Sequence, residues 1–392
     1  MERKEQLSAA FVGLARTLFG PGSITLHRPV FQGNERQYLL DCIDSNFVSS
    51  VGAKVVEFEH QITAFTGAKY AVATVNGTAA LHVALKLMGV EQGEEVITQA
   101  LSFVATCNAL SYAGATPVFV DVDCDTLGMS AKALRSFLQH NAVLRAGKPF
   151  NKTTGRRLAA CVPMHTFGHP CRIQEIVTVC DDYGIGVVED AAESLGSSVG
   201  QRHTGTFGRI ATLSFNGNKV ITTGGGGMLI TDDEALAKRA KHLTTTAKVP
   251  HPYEFVHDEV GYNYRLPNLN AALGCAQMEK LPQMLAIKAD VAARYAALFE
   301  GSGIRFVQAP AGATSNYWLN AIVLDSLEER DAFLQYTNSC DVMTRPIWRL
   351  MTHLEMFKHC QHDGLANSLW LEDRVVNLPS SVPESEFARL KS

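Results

Sequence analysis

One lysine of this chain is set apart by its surroundings. In Ser214-Phe-Asn-Gly-Asn-Lys219-Val-Ile-Thr-Thr-Gly224-Gly-Gly-Gly227 it stands among small, hydroxyl and amide residues, ahead of four consecutive glycines. The apolar runs Ile210–Phe215 and Met228–Asp232 on either side read as short buried strands, which puts Lys219 on a loop between two core strands. Glycines accept positive φ and allow backbone to press against a ligand. The same composition also fits a plain hairpin whose lysine points at water.

Two further stretches give that lysine chemical company. Val187-Val-Glu189-Asp190-Ala-Ala-Glu193-Ser194 is an apolar strand ending in acids and small residues, and carboxylates at such strand ends lie where open α/β sheets bind ligands. A lysine that forms an imine with a cofactor aldehyde needs a carboxylate on the ring nitrogen, and Asp190 can be that group; an acidic helix cap is the alternative reading. Ala73-Thr-Val-Asn76-Gly77-Thr78-Ala79 is a strand turning into a helix of apolar spacing. Its first free N–H groups and the helix dipole make a phosphate seat, although ordinary strand-to-helix turns look alike. An imine, a ring nitrogen and a phosphate are the three handles of pyridoxal phosphate (PLP).

These motifs lie in family order with Gly261-Tyr-Asn263-Tyr-Arg265, and from about Leu26 onward the chain resembles the DegT/StrS nucleotide-sugar aminotransferases, a branch of the aspartate-aminotransferase fold. Phe47-Val-Ser-Ser-Val-Gly52, the run Asn216–Gly227 and Thr344-Arg345-Pro-Ile-Trp348 look like the subgroup that aminates C4 of UDP-4-keto-6-deoxy-N-acetylglucosamine on the way to legionaminic acid. The resemblance implies that Lys219 carries the cofactor and moves protons, and that Asp190 holds the ring nitrogen. It places Asn76, Gly77, Thr78, Ser214 and Asn216 about the cofactor, with Phe103 stacked on its ring. It brings Asn263 to the phosphate from the partner subunit of a homodimer. Phe47, Ser49, Arg345 and Trp348 would face the sugar nucleotide, and L-glutamate would be the amino donor. Glu193 departs from the pattern, which has glutamine or histidine beside the ring; a carboxylate there either tunes the imine or is itself protonated. Pyridoxamine-dependent dehydratases of the same fold carry histidine in place of the lysine, so Lys219 argues against that class. A GDP- or dTDP-linked sugar, a C3 ketone, or a non-catalytic sensor keeping the fold are the other readings.

Composition narrows the rest. With 392 residues, 46% apolar and 19% charged, the chain suits a large and a small domain rather than one small core. Its net charge of −4 argues against a broad nucleic-acid surface. Strand-sized apolar runs give no bilayer span, and Met1-Glu-Arg-Lys-Glu is followed by no export signal. Nine scattered cysteines fit a reducing, cytoplasmic setting, and no HExxH or knuckle spacing suggests a metal.

The elements that must position these residues follow from periodicity. Strands are expected at Tyr70–Val75, Glu95–Thr98, Pro117–Val122, Leu158–His165 and Gly186–Glu189, alternating with helices, which predicts an α/β fold with a mostly parallel sheet. Residues 1–25 read as an added amphipathic helix, with Leu7, Phe11, Leu14 and Leu18 on one face, covering a neighbouring surface or a second subunit. A large cofactor domain is expected over 26–282 and a smaller α+β domain over 283–392. The polar stretch 139–157 reads as a surface insertion, and the helix after Arg265 as capped near Asn268.

Overall fold

In the computed structural model, which describes residues 2–389, seven strands form the central sheet: β1 (Tyr70–Thr74), β2 (Glu95–Gln99), β3 (Thr116–Val120), β4 (Leu158–Val162), β5 (Gly186–Asp190), β6 (Ile210–Ser214) and β7 (Gly227–Thr231). Their order is β1-β7-β6-β5-β4-β2-β3, parallel except for β7, which runs against both β1 and β6. The parallel strands are apolar without alternation because helices cover both faces. On one face the helix Gly77–Leu87 buries every residue from Ala79 to Leu85. On the other, Phe58 of the helix Ala53–Thr66 meets Phe215 edge-on, ring centres 4.9 Å apart.

Register brings the site together. Thr74, Gly227 and Ser214 lie side by side across β1, β7 and β6, and Thr212 of β6 lies beside Asp190 of β5. Neighbouring strands are about 4.8 Å apart, so the seat turn, the lysine loop and Asp190 emerge along one sheet edge.

A second, antiparallel sheet is built from Arg305–Phe306, Asn320–Val323, Val375–Leu378 and Arg345–Pro346, in that order. The helix Leu281–Phe299 leads into it. The N-terminal helix Glu2–Phe19 packs on this same sheet: Phe11 is fully buried against Tyr295, Phe299 and Phe333, and Ile24 pairs with Val342. Its apolar face is thus covered within its own chain.

Three local expectations change. The 139–157 stretch contains a strand hairpin, Ala142–Arg145 with Lys148–Asn151. β4 stops at Val162 rather than His165, because Pro163 has no N–H for the ladder. Asn268 does not cap its helix: Pro267 holds the cap position, and the Asn268 side chain is buried against the 47–54 segment, bonding Phe47 O and Lys54 N.

Candidate active site

The phosphate seat is made by contact between backbones. Asn76 caps the helix Gly77–Leu87, its Oδ1 accepting from Ala79 N at 2.7 Å. The N–H groups of Gly77 and Thr78 lie in the first turn, where no intrahelical acceptor exists. A Cβ added at Gly77 would stand 3.0 Å from Ser214 Cβ, and one at Gly227 would stand 2.6 Å from Gly77 N. The two glycines therefore close β6, β7 and the helix start into one cradle that side chains would fill.

Asp190 ends β5, nearly buried, with Oδ2 accepting from Thr106 Oγ1 at 2.7 Å and Oδ1 from Ala192 N at 3.2 Å. Thr106 lies on the helix Val104–Tyr112, at whose start Phe103 projects with 46% of its surface exposed. Glu189, next to Asp190 in the sequence, faces away from the site. His165 Nε2 and the N–H groups of Gly205, Phe207 and Gly208 all meet its carboxylate. Burial would raise that carboxyl, but the bonds from His165 and the backbone hold it below the usual range.

Lys219 lies on the loop between β6 and β7, and its side chain is only 12% exposed. Its Nζ is 3.3 Å from Glu193 Oε1 and 3.9 Å from the centre of the Trp318 ring. Glu193 is itself fixed by Phe167 N, which donates to Oε2 at 2.9 Å. Burial pushes the Glu193 carboxyl up to about 7, against the opposing pull of the Lys219 ammonium. Glu193 is thus a carboxyl displaced toward neutrality by burial beside the Lys219 amine, the chemical consequence of a carboxylate where an amide or imidazole is expected.

Of the remaining expected residues, Trp348 joins this group, its ring centre 5.9 Å from Phe103 and 4.8 Å from Phe167. Phe47 and Ser49 sit on a loop pinned to the helix Asn268–Met278, Ser49 O accepting from Asn268 N, with Phe47 exposed. Asn216 is exposed and bonds Asn218. Arg345 is not drawn to the cluster; its guanidinium bonds Asn338 Oδ1 and Thr344 O beside the small sheet. Asn263 is exposed and pairs with Thr245, while Tyr264 O next to it accepts from Val75 N, so this segment runs along the seat strand. Thr106, Phe167 and Trp318 complete the site without having been singled out in the sequence; the one local signal was Trp318 in the apolar run Tyr317–Asp325.

The residues fit PLP. A cradle that no side chain could share faces a helix N-terminus, a held carboxylate waits for a ring nitrogen, and one lysine amine stands between Glu193 and the Trp318 ring face.

The comparisons with known proteins agree with that chemistry. EpsN of Bacillus subtilis, assigned as a pyridoxal phosphate-dependent aminotransferase, is 38% identical over 327 residues, 83% of this chain and 81% of its own. The GDP-perosamine synthase of Vibrio cholerae is 34% identical over 91% of this chain and 94% of its own. Among solved structures, the aminotransferase TlmJ from Streptoalloteichus hindustanus superposes with a TM-score of 0.83 at 27% identity, covering 92% of this chain and 94% of that one. The profile of the DegT/DnrJ/EryC1/StrS aminotransferase family matches residues 29–386, a span that contains the lysine, the carboxylate and the seat: the chain belongs to this family and is a PLP-dependent sugar aminotransferase.

Proposed function

We propose that this chain moves the amino group of L-glutamate to the C4 ketone of a UDP-linked 4-keto-6-deoxy-N-acetylhexosamine, working in the cytoplasm as a homodimer with shared sites. The observation that carries the chemistry is the shielded Lys219 amine, its side chain 12% exposed and its Nζ 3.3 Å from Glu193, at the strand ends where Asp190 emerges. PLP, when bound, supplies a carbonyl that takes the amino group and a ring that withdraws electrons from the reacting carbon. Gly77, Thr78 and Ser214 would fix its phosphate. Asp190, kept in place by Thr106, would hold the proton on the ring nitrogen. Lys219 Nζ takes the α-proton of the amino acid and later delivers one to the sugar carbon, and Glu193 exchanges protons with Nζ between those events. Phe103 and Trp348, ring centres 5.9 Å apart, would wall one side of the bound cofactor.

The UDP sugar rests on the likeness of residues 47–52, 216–227 and 344–348 to the subgroup described above. A GDP-linked sugar is the second reading, favoured by the 34% identity to a GDP-perosamine synthase. Turnover with glutamate and matched UDP-, GDP- and dTDP-4-keto sugars, followed as 2-oxoglutarate release, decides between them. Preference for the GDP sugar would overturn the UDP assignment, and Lys219→Ala with near-normal turnover would overturn the role of Lys219.

A further inference from the structure

Trp318 belongs to the segment entering the small sheet, a hundred residues from the lysine loop, yet it touches that loop twice. Its Nε1–H donates to Asn218 O at 2.6 Å, and its ring face lies 3.9 Å from Lys219 Nζ. The tryptophan is in turn held at both backbone atoms. Its N donates to Asn316 Oδ1 at 2.8 Å, and Asn316 Nδ2 donates to Glu193 O at 2.8 Å, so one asparagine spaces the lysine's cover from the lysine's carboxylate. Its carbonyl accepts from Lys288 Nζ at 3.2 Å.

Lys288 is an expensive way to hold a carbonyl. It is fully buried, its Nζ also meets Ser380 O and His27 Nε2, and no carboxylate is paired with it among the described residues. Burial pulls its ammonium down to about 7. An uncompensated cation in a core opposes stability, and such local conflicts concentrate at functional sites. Backbone strain marks the same place. Phe167 (φ 57°), which donates to Glu193, and Tyr317 (φ 47°), which precedes Trp318, are both left-handed without being glycine. The two turns lock together, since any Cβ on Gly168 would collide with Asn316.

We propose that Trp318 is a positioning residue that sets the Lys219 amine against Glu193, and that Lys288 acts on the reaction through Trp318. The ring face attracts the ammonium and denies it water, the indole N–H fixes the loop, and the tie from Lys288 stops the ring from swinging away. This inference rests on the assignment of Lys219 as the proton-moving group.

The test uses full-length protein and two readouts. One is the rate at which cofactor-free protein takes up PLP, followed by visible absorbance. The other is exchange of the glutamate α-hydrogen with deuterated solvent, with its primary isotope effect. Trp318→Leu is expected to slow both by roughly 10- to 100-fold and to raise the isotope effect, since a misplacement of about 1 Å can cost 10²-fold. Trp318→Phe keeps a ring face without the N–H and should fall between. Lys288→Met should act in the same direction, and the double variant should be no slower than Trp318→Leu, because the two residues lie on one path. Wild-type rates and isotope effect in Trp318→Leu, or additive losses in the double variant, would overturn the proposal. If the leucine variant melts early, Trp318→Phe decides: wild-type uptake and isotope effect there would equally refute it. Failure of the wild type to exchange the glutamate hydrogen would instead count against glutamate as donor, and PLP uptake would still judge Trp318.

Discussion

Replacing Gly227 with alanine probes the phosphate seat without altering any atom that does chemistry. A Cβ there would lie 2.6 Å from Gly77 N and nearer still to the Asn76 carbonyl. Comfortable contact is roughly 3.5 Å, so strand and helix start must part by about 1 Å. The strand cannot yield sideways, because Gly227 is paired with Thr74 on one side and Ser214 on the other. The helix start must therefore move, carrying Gly77 and Thr78 with it and loosening the Asn76–Ala79 cap. Forced overpacking of this kind costs about 1–3 kcal/mol, and each 1.4 kcal/mol is about tenfold in affinity, which predicts a rise of about 10- to 100-fold in the Kd for PLP. Absorbance titration of cofactor-free protein with PLP measures it, with inorganic phosphate as competitor. Gly217→Ala is the control: it lies in the loop that leads into β7, and a Cβ there meets nothing within 4 Å. If Gly227→Ala binds PLP as tightly as Gly217→Ala and the wild type, the cradle does not form the phosphate seat and the reasoning fails.

Other consequences are open to direct measurement. Asp190→Asn should leave PLP bound but slow the single-turnover reaction with glutamate by about 10²-fold or more, the order of a lost electrostatic stabiliser; a wild-type rate would pass the role to Glu193, since Glu189 is fully engaged elsewhere. Glu193→Gln should flatten the pH dependence of stability. With a folded value of about 7 against the usual 4.5, the wild-type carboxyl's contribution is fully present below about 4.5 and is lost as pH rises through 7. That loss is of order 3 kcal/mol, and urea unfolding of cofactor-free protein between pH 4 and 8 should show it in the wild type and not in the variant. Asn263→Ala should weaken PLP retention, and mixing it with Lys219→Ala chains should restore activity above either parent, each heterodimer holding one site with both residues intact. Failure to complement despite demonstrated heterodimers would confine Asn263 to its own subunit.

Much of the fold was legible because the strands are buried on both faces and announce themselves as unbroken apolar runs. The same property blurred their ends, since hydrophobicity does not say where hydrogen bonding stops. His165 belongs to an apolar run yet lies beyond β4, where Pro163 interrupts the ladder and one isolated bridge, Met164 with Asp190, follows it. Asn268 shows the opposite failure. Its type and place suit a helix cap, but partners 214 and 221 residues away in the 47–54 segment outbid the local backbone.

The site divides along the same line. Lys219, Asp190 and the Asn76–Thr78 turn could be read because each carries its own local context: glycines that need close approach, a strand that ends in acids, a helix that begins with free N–H groups. Thr106, Phe167 and Trp318 carry no such context, since a threonine inside a helix and aromatics in apolar runs are ordinary core composition. Their roles come from contacts 26 to 100 residues distant, Phe167 with Glu193 and Trp318 with the lysine loop. Glu193 lies between the two cases. Its type was visible as a departure from the family, but whether it is charged depends on burial set against one ammonium 3.3 Å away, a balance that exists only once three separate segments have met. A residue's identity therefore predicts its chemistry here only where the chain itself supplies the partner, and where the partner arrives through folding the sequence shows the question without the answer.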